Sequence, residues 1–254
     1  MGKYFFTIVL IFGFFVYGFF VGTKKIFPYQ EIKSLKQTFS STKTVKKEPA
    51  YDNPIDNKEK ANVLIIGDSI SIGYTPYVRE NLKDKLDVFR ILENGRHTFY
   101  GKRQMDEWLS LAKNWDVIHF NWGLWDLKYT DPYRKKIQRS TINEYKENLE
   151  YLVKKLQKTG AKLIWCTTTP IKEGADSRLK GDEVRYNIAA KEVMEKYDIK
   201  INDLYSFAIK NKNDIQLPKH VHYYEEGSEY LAQKVSAEIL DALGKKWKNL
   251  MKKK

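Results

Sequence analysis

Cysteine is almost missing: Cys166 is the only one in 254 residues, so no disulfide can form within the chain and stability has to come from a packed core. Its setting in the apolar run KLIWCTTTP reads as a buried, structural thiol. Histidine is scarce as well, with four residues. His220 and His222 stand one residue apart, but no further ligand cluster accompanies them, so no metal site is expected. The loop GDSISIG lacks both the Gly-x-Gly spacing of a dinucleotide fold and the Gly-Lys-Ser/Thr end of a phosphate loop, and no cofactor is implied. Acidic residues are in deficit, 32 against 45 basic ones, which leaves a formal charge of +13. The excess is mostly lysine dispersed along helix faces and gathered in the tail KKWKNLMKKK. Dispersed lysine solvates a surface, and without a nucleic-acid motif it does not argue for a nucleic-acid partner. The tail also suits an anionic membrane surface. Internal repeats are absent.

What the chain does have in quantity is apolar and aromatic residues, 42% and 14% of the whole, enough for one sizeable core. One block of them stands apart. Residues 4 to 22, YFFTIVLIFGFFVYGFFVG, are uncharged and long enough to cross a bilayer as a helix. The block is long for the apolar part of a signal peptide and no small-x-small cleavage pattern follows, so a retained single-pass anchor is expected. Gly18 and Gly22 make the GxxxG spacing that brings two such helices together as a weak homodimer, although glycine is common in membrane spans in any case. Four organisational units follow: an anchor at 1–22, a lysine-rich, proline-punctuated linker at 23–60, a body at 61–244 and a basic tail at 245–254.

Within the body, short β-type runs alternate with helical periods. NVLIIG, VFRIL, WDVIHFN, AKLIWCTTT and IKIND read as strands. A weak helix is expected at residues 76 to 86, and another with Met105, Trp108, Leu109 and Ala112 on one face. Thr141 and Glu144 form a capping box ahead of a long amphipathic helix that Gly160 stops. Further helices are expected from Asp182 to Tyr197, near residues 203 to 210, and from Glu226 to Leu243. Repeated β-α units whose strands are apolar throughout imply an α/β fold, a parallel sheet covered by helices on both faces. Sites in such sheets lie outside the carboxyl ends of the strands.

Ser69 stands at such an end, directly after Gly67-Asp68. It is either a nucleophile or a turn residue, and the tripeptide alone does not choose. A nucleophilic serine needs a base, and histidine has the suitable pKa. His119 lies inside a strand and reads as core, His97 sits in a loop, and His220 and His222 occupy the loop feeding the last helix.

Four ordered blocks then carry a resemblance: Gly67-Asp68-Ser69, Asn94-Gly95, Gly123-Leu124-Trp125-Asp126, and Val221-His222 with Gly227. In that order they resemble the SGNH, or GDSL-type, hydrolases over nearly all of residues 61 to 243. The resemblance implies a three-layer α/β/α sandwich with a mostly parallel, flavodoxin-like sheet, and a serine ester hydrolase site for acyl or acetyl esters. It implies Ser69 as nucleophile, His222 as general base, and the N–H groups of Ser69 and Gly95 as oxyanion donors, each donor worth on the order of 3 kcal/mol of barrier. Asp68, Asn94, Trp122 and Trp125 are expected to contact substrate.

Two departures from the family pattern stand out. Trp125 occupies the place of an asparagine whose amide serves the oxyanion, so that either its indole N–H, Asn94 or Asn121 supplies the donor; Asn121 is the expectation. His220 and Lys219 stand where an aspartate that orients the histidine is usual, which leaves Asp214 or a backbone carbonyl for that role. The implied partner is an ester-bearing envelope glycan or lipid. An O-acyltransferase, or an inactive glycan-binding relative, are the other readings. The lysines after the apolar block argue for a cytoplasmic body under the positive-inside rule, whereas anchored relatives work outside the membrane; the extracytoplasmic placement is the one adopted.

Overall fold

The computed structural model describes residues 48–131, 133–134, 136–211 and 215–244. The apolar block, most of the linker, Asp214 and the basic tail lie outside the described residues. Among those described, no helix is long and apolar enough to cross a membrane.

The most continuous apolar run of the body becomes the central strand. In β1 (Ala61–Ile66) every residue is buried, because the strand is covered on both faces. The other strands are β2 (Leu86–Arg90), β3 (Val117–Phe120), β4 (Lys162–Cys166) and β5 (Lys200–Asn202). They form one sheet in the order β2-β1-β3-β4-β5 with every pairing parallel. The order is flavodoxin-like, as expected, and the chain reverses its direction of travel across the sheet between β1 and β3. A crevice opens at such a switch point, outside the carboxyl ends of the two strands. Ser69 and Gly123 follow those strands directly.

Helices α1 (Ser69–Leu82), α5 (Leu204–Ile209) and α6 (Glu225–Leu243) pack together on one face. On the other face α2 (Thr98–Leu109) packs on α3 (Ile142–Gln157), and α3 packs on α4 (Asp182–Lys196). The result is three layers. The α3 capping box is present in full, with Thr141 Oγ1 accepting from the Glu144 N–H and the Glu144 carboxylate accepting from the Thr141 N–H at 2.8 Å. Cys166 is buried, and burial pushes its thiol pKa well up, which suits a structural thiol.

Two helices differ from the sequence expectation. The helix expected at 76–86 is α1, which starts at Ser69 and ends at Leu82. Its first turn, SISIG, is poor in helix formers and Pro76 lies inside it, so the sequence hides a start that the Asp68 cap enforces. Ala112 does not share a helix face with Met105 and Trp108, because α2 ends at Leu109. His119 is core as expected. It is fully buried in β3 with Nε2 at 3.1 Å from Asn202 Nδ2, and burial lowers its pKa to about 4.

Candidate active site

Ser69 is the first residue of α1, and three contacts hold the turn that presents it. Asp68 caps the helix, its Oδ1 accepting from the Ile70 N–H at 2.9 Å. Arg90, at the end of β2 and fully buried, reaches under the turn. Its guanidinium donates to Gly67 O (3.0 Å), Asp68 O (3.2 Å) and Ser71 Oγ (2.9 Å), and also to Ile91 O and Glu93 O at 2.6 and 2.7 Å. Gly95 completes the set by donating its N–H to Gly67 O at 2.9 Å. A side chain at Gly95 would run into that carbonyl, which is why a glycine stands there. The first N–H groups of a helix have no intrahelical partner and lie at the positive end of its dipole. Asp68 takes the one on Ile70, and the N–H of Ser69 faces the same end.

The opposite wall is the loop from Ile215 to Tyr224. An antiparallel bridge between Gln216 and Tyr223 closes it, with Leu217 N–H donating to His222 O (3.0 Å) and Tyr224 N–H to Ile215 O (3.0 Å). The buried Gln216 side chain ties its interior, donating to Pro170 O at 2.7 Å and to Val221 O at 3.2 Å. Gly227, in the first turn of α6, lets that helix dock directly on the Ile215 carbonyl. The loop so held turns His222 toward α1. His222 Nε2 lies 2.6 Å from Ser69 Oγ, across 153 residues of sequence. On its other side, His222 Nδ1 lies 2.8 Å from Nδ1 of His220.

The two walls enclose a cleft of about 200 Å³ whose lining includes Ser69, His222, Trp125, Lys128, Asp176 and Arg178. Arg178 is fixed by its Nε, which donates to Leu124 O at 2.8 Å. Burial holds the His222 pKa below the ordinary histidine value, and the neighbouring His220 and Arg178 act in the same direction, so His222 is neutral near pH 7. Burial pushes the Asp68 carboxyl up, against the Ile70 hydrogen bond and the arginines Arg178 and Arg90.

The sheet and the helices that cover it are similar to those of a set of solved structures. An acetyl xylan esterase is 21% identical, with the match covering 70% of this chain and 99% of that one at a TM-score of 0.58. For a lipase/acylhydrolase from Enterococcus faecalis the values are 19%, 70%, 95% and 0.60. For an acetylxylan esterase from Geobacillus stearothermophilus they are 19%, 74%, 95% and 0.57. This chain has the SGNH, or GDSL-type, hydrolase fold. No family model and no curated protein sequence matches it.

Within the GDSL-type fold, several residues expected in the site do other work. The Gly95 N–H is taken by Gly67 O, so it does not point an unpaired donor into the cleft. The Asn121 amide donates to Cys166 O at 2.6 Å and to Thr168 Oγ1 at 3.4 Å, so it binds β3 to β4 instead of serving an oxyanion. Trp122 is fully buried, its indole N–H donating to Gly95 O at 3.2 Å, and cannot meet a substrate. Asp68 is 2% exposed and caps the helix, and it also lines the cleft. Asn94 accepts from the Arg96 N–H at 2.9 Å and supports the positive φ of Arg96. Trp125 does line the cleft, with Lys128 and Arg139 each over its ring at 5.4 Å. Asp214 is outside the described residues.

Asp126, the last residue of the third GDSL-type block, is buried and braces the second block. It accepts from the Thr98 N–H (3.0 Å), Thr98 Oγ1 (2.6 Å) and Ser140 Oγ (2.9 Å), and burial raises its pKa to about 6 despite these bonds. Sequence reasoning missed Arg90 and Arg178. An arginine inside the apolar run VFRIL was a visible signal for the first, since a buried charge needs a purpose. Nothing local to DSRLK signalled the second.

Proposed function

We propose that the protein is a serine ester hydrolase that removes short acyl groups, acetyl in particular, from a carbohydrate. The single observation that carries this reading is the 2.6 Å contact between Ser69 Oγ and His222 Nε2. In the proposed mechanism His222 takes the Ser69 hydroxyl proton as Oγ attacks the ester carbonyl. The tetrahedral oxyanion forms against the Ser69 N–H at the helix terminus. The protonated His222 then gives its proton to the departing alcohol, leaving an acyl-serine. Water then attacks the acyl carbon while losing a proton to His222, and His222 returns that proton to Ser69 Oγ as the Oγ–acyl bond breaks and the acid leaves.

The substrate class rests on two supports. The cleft of about 200 Å³ suits a small acyl group and is walled on one side by Trp125, whose flat face is of the kind that stacks on sugar rings. Two of the structural neighbours are described as acetyl xylan esterases. An envelope glycan as the natural substrate, and a body held outside the membrane by residues 4–22, remain part of the proposal. They rest on the apolar block of the sequence.

The test is hydrolysis of p-nitrophenyl acetate by the full chain, paired with labelling by a fluorophosphonate. Ser69→Ala is expected to abolish both, and activity that survives that substitution sinks the reading.

A further inference from the structure

A base at Ser69 must offer a bare Nε2, and nothing in an isolated imidazole ensures that its proton sits on the other nitrogen. In a Ser-His-Asp triad the aspartate fixes this tautomer by accepting from Nδ1–H. Among the described residues, the hydrogen-bond partners of the His222 ring are Ser69 and His220. We propose that His220 is the positioning residue of this site, a neutral imidazole that accepts from His222 Nδ1–H where a triad has a carboxylate. The inference rests on the serine-hydrolase reading above and deepens it.

The geometry assigns each proton in turn. The backbone N–H of His222 donates to His220 Nδ1 at 3.2 Å. A main-chain N–H can only donate, so His220 Nδ1 bears a lone pair and the His220 proton is on Nε2. His222 Nδ1 lies 2.8 Å from that same atom, and one of two nitrogens at this distance has to donate. His220 Nδ1 does not, hence His222 Nδ1 carries the hydrogen. His222 Nε2 is then bare, 2.6 Å from Ser69 Oγ, and accepts the hydroxyl proton. One backbone N–H, placed by the turn between two histidines, therefore sets the tautomer of both rings. The ring centroids lie 4.6 Å apart, with the ring planes tilted by 36°.

One consequence follows from using an imidazole. It stabilises the imidazolium of His222 less than a carboxylate does, so the base stays weak and unprotonated at lower pH. Asp68, Lys128, Asp176, Arg178 and Lys219 are the other charged groups around the pair.

The experiment follows the rate of fluorophosphonate labelling of Ser69 in the full chain against pH. His220→Ala is expected to slow labelling by roughly a hundredfold with the melting temperature little changed. His220→Asp is expected to restore the rate and to move the acid limb upward by about one unit or more, since a carboxylate favours the imidazolium. Labelling of folded His220→Ala within about threefold of wild type overturns the proposal. So does an acid limb that His220→Asp leaves in place. If the wild-type chain does not label at all, the serine-hydrolase reading falls instead, and ¹⁵N NMR of the histidines still decides the part of His220. Nε2–H on His220 with Nδ1–H on His222 supports it, and Nδ1–H on His220 overturns it.

Discussion

The two halves of the candidate dyad are built differently. Ser69 stands on a turn whose Gly67 and Asp68 carbonyls accept from a buried arginine, the first of them also from the Gly95 N–H. His222 stands on a loop that runs over the surface, with exposed residues from Pro218 to His220 and one buried amide, Gln216, tying its interior. Ser69 is thus held by core contacts and His222 is hung beside it. A helix N-terminus must be rigid to aim its N–H groups at a developing charge, whereas a proton acceptor needs only to arrive within hydrogen-bond reach.

That contrast is breakable from both sides. Arg90→Met keeps the volume but strands several buried carbonyls, and is expected to destabilise the fold by about 4 kcal/mol in urea unfolding. A cost below about 1 kcal/mol would show that the nucleophile turn does not depend on the clamp. Gln216→Ala acts on the other half. It is expected to cost only about 2 kcal/mol, and to slow labelling of Ser69 out of proportion to that loss because the base wanders. Equal effects of the two substitutions on stability would erase the distinction drawn between the halves.

The smallest expected effect is electrostatic. Burial, with His220 and Arg178 nearby, lowers the His222 pKa. Under the proposed mechanism the neutral form is the base, so labelling should rise with pH through a value below the ordinary histidine pKa of about 6.5. Arg178→Gln removes a positive charge, favours the imidazolium and should move this limb upward by less than about one unit. A downward movement, read from the pH profile of labelling, would contradict the sign.

How much of this was legible beforehand varies by residue. The parallel sheet was, because five apolar runs separated by helical periods leave few other arrangements. Ser69 and His222 were, because each follows a signal that is local: a strand-end turn for one, a loop feeding the last helix for the other. The start of α1 was not, since SISIG has no helical preference of its own and its Asp68 cap reads equally well as a turn residue. The oxyanion donors were not legible either. Gly95 and Asn121 both carry donors of the right kind, but a neighbouring carbonyl, Gly67 O in one case and Cys166 O in the other, claims each of them. Those carbonyls, just past β1 and at the end of β4, come near these donors only in the folded sheet.

By itself, then, the sequence determined the architecture and the chemical identity of the pair Ser69 and His222, because patterning and residue type are local properties of the chain. Only the tertiary structure decided which hydrogen-bond donors are spent and which remain, and that His220 faces His222 through Nδ1. Hydrogen bonds hold over less than about 3.5 Å, and which groups come within that distance across 153 residues is a property of packing.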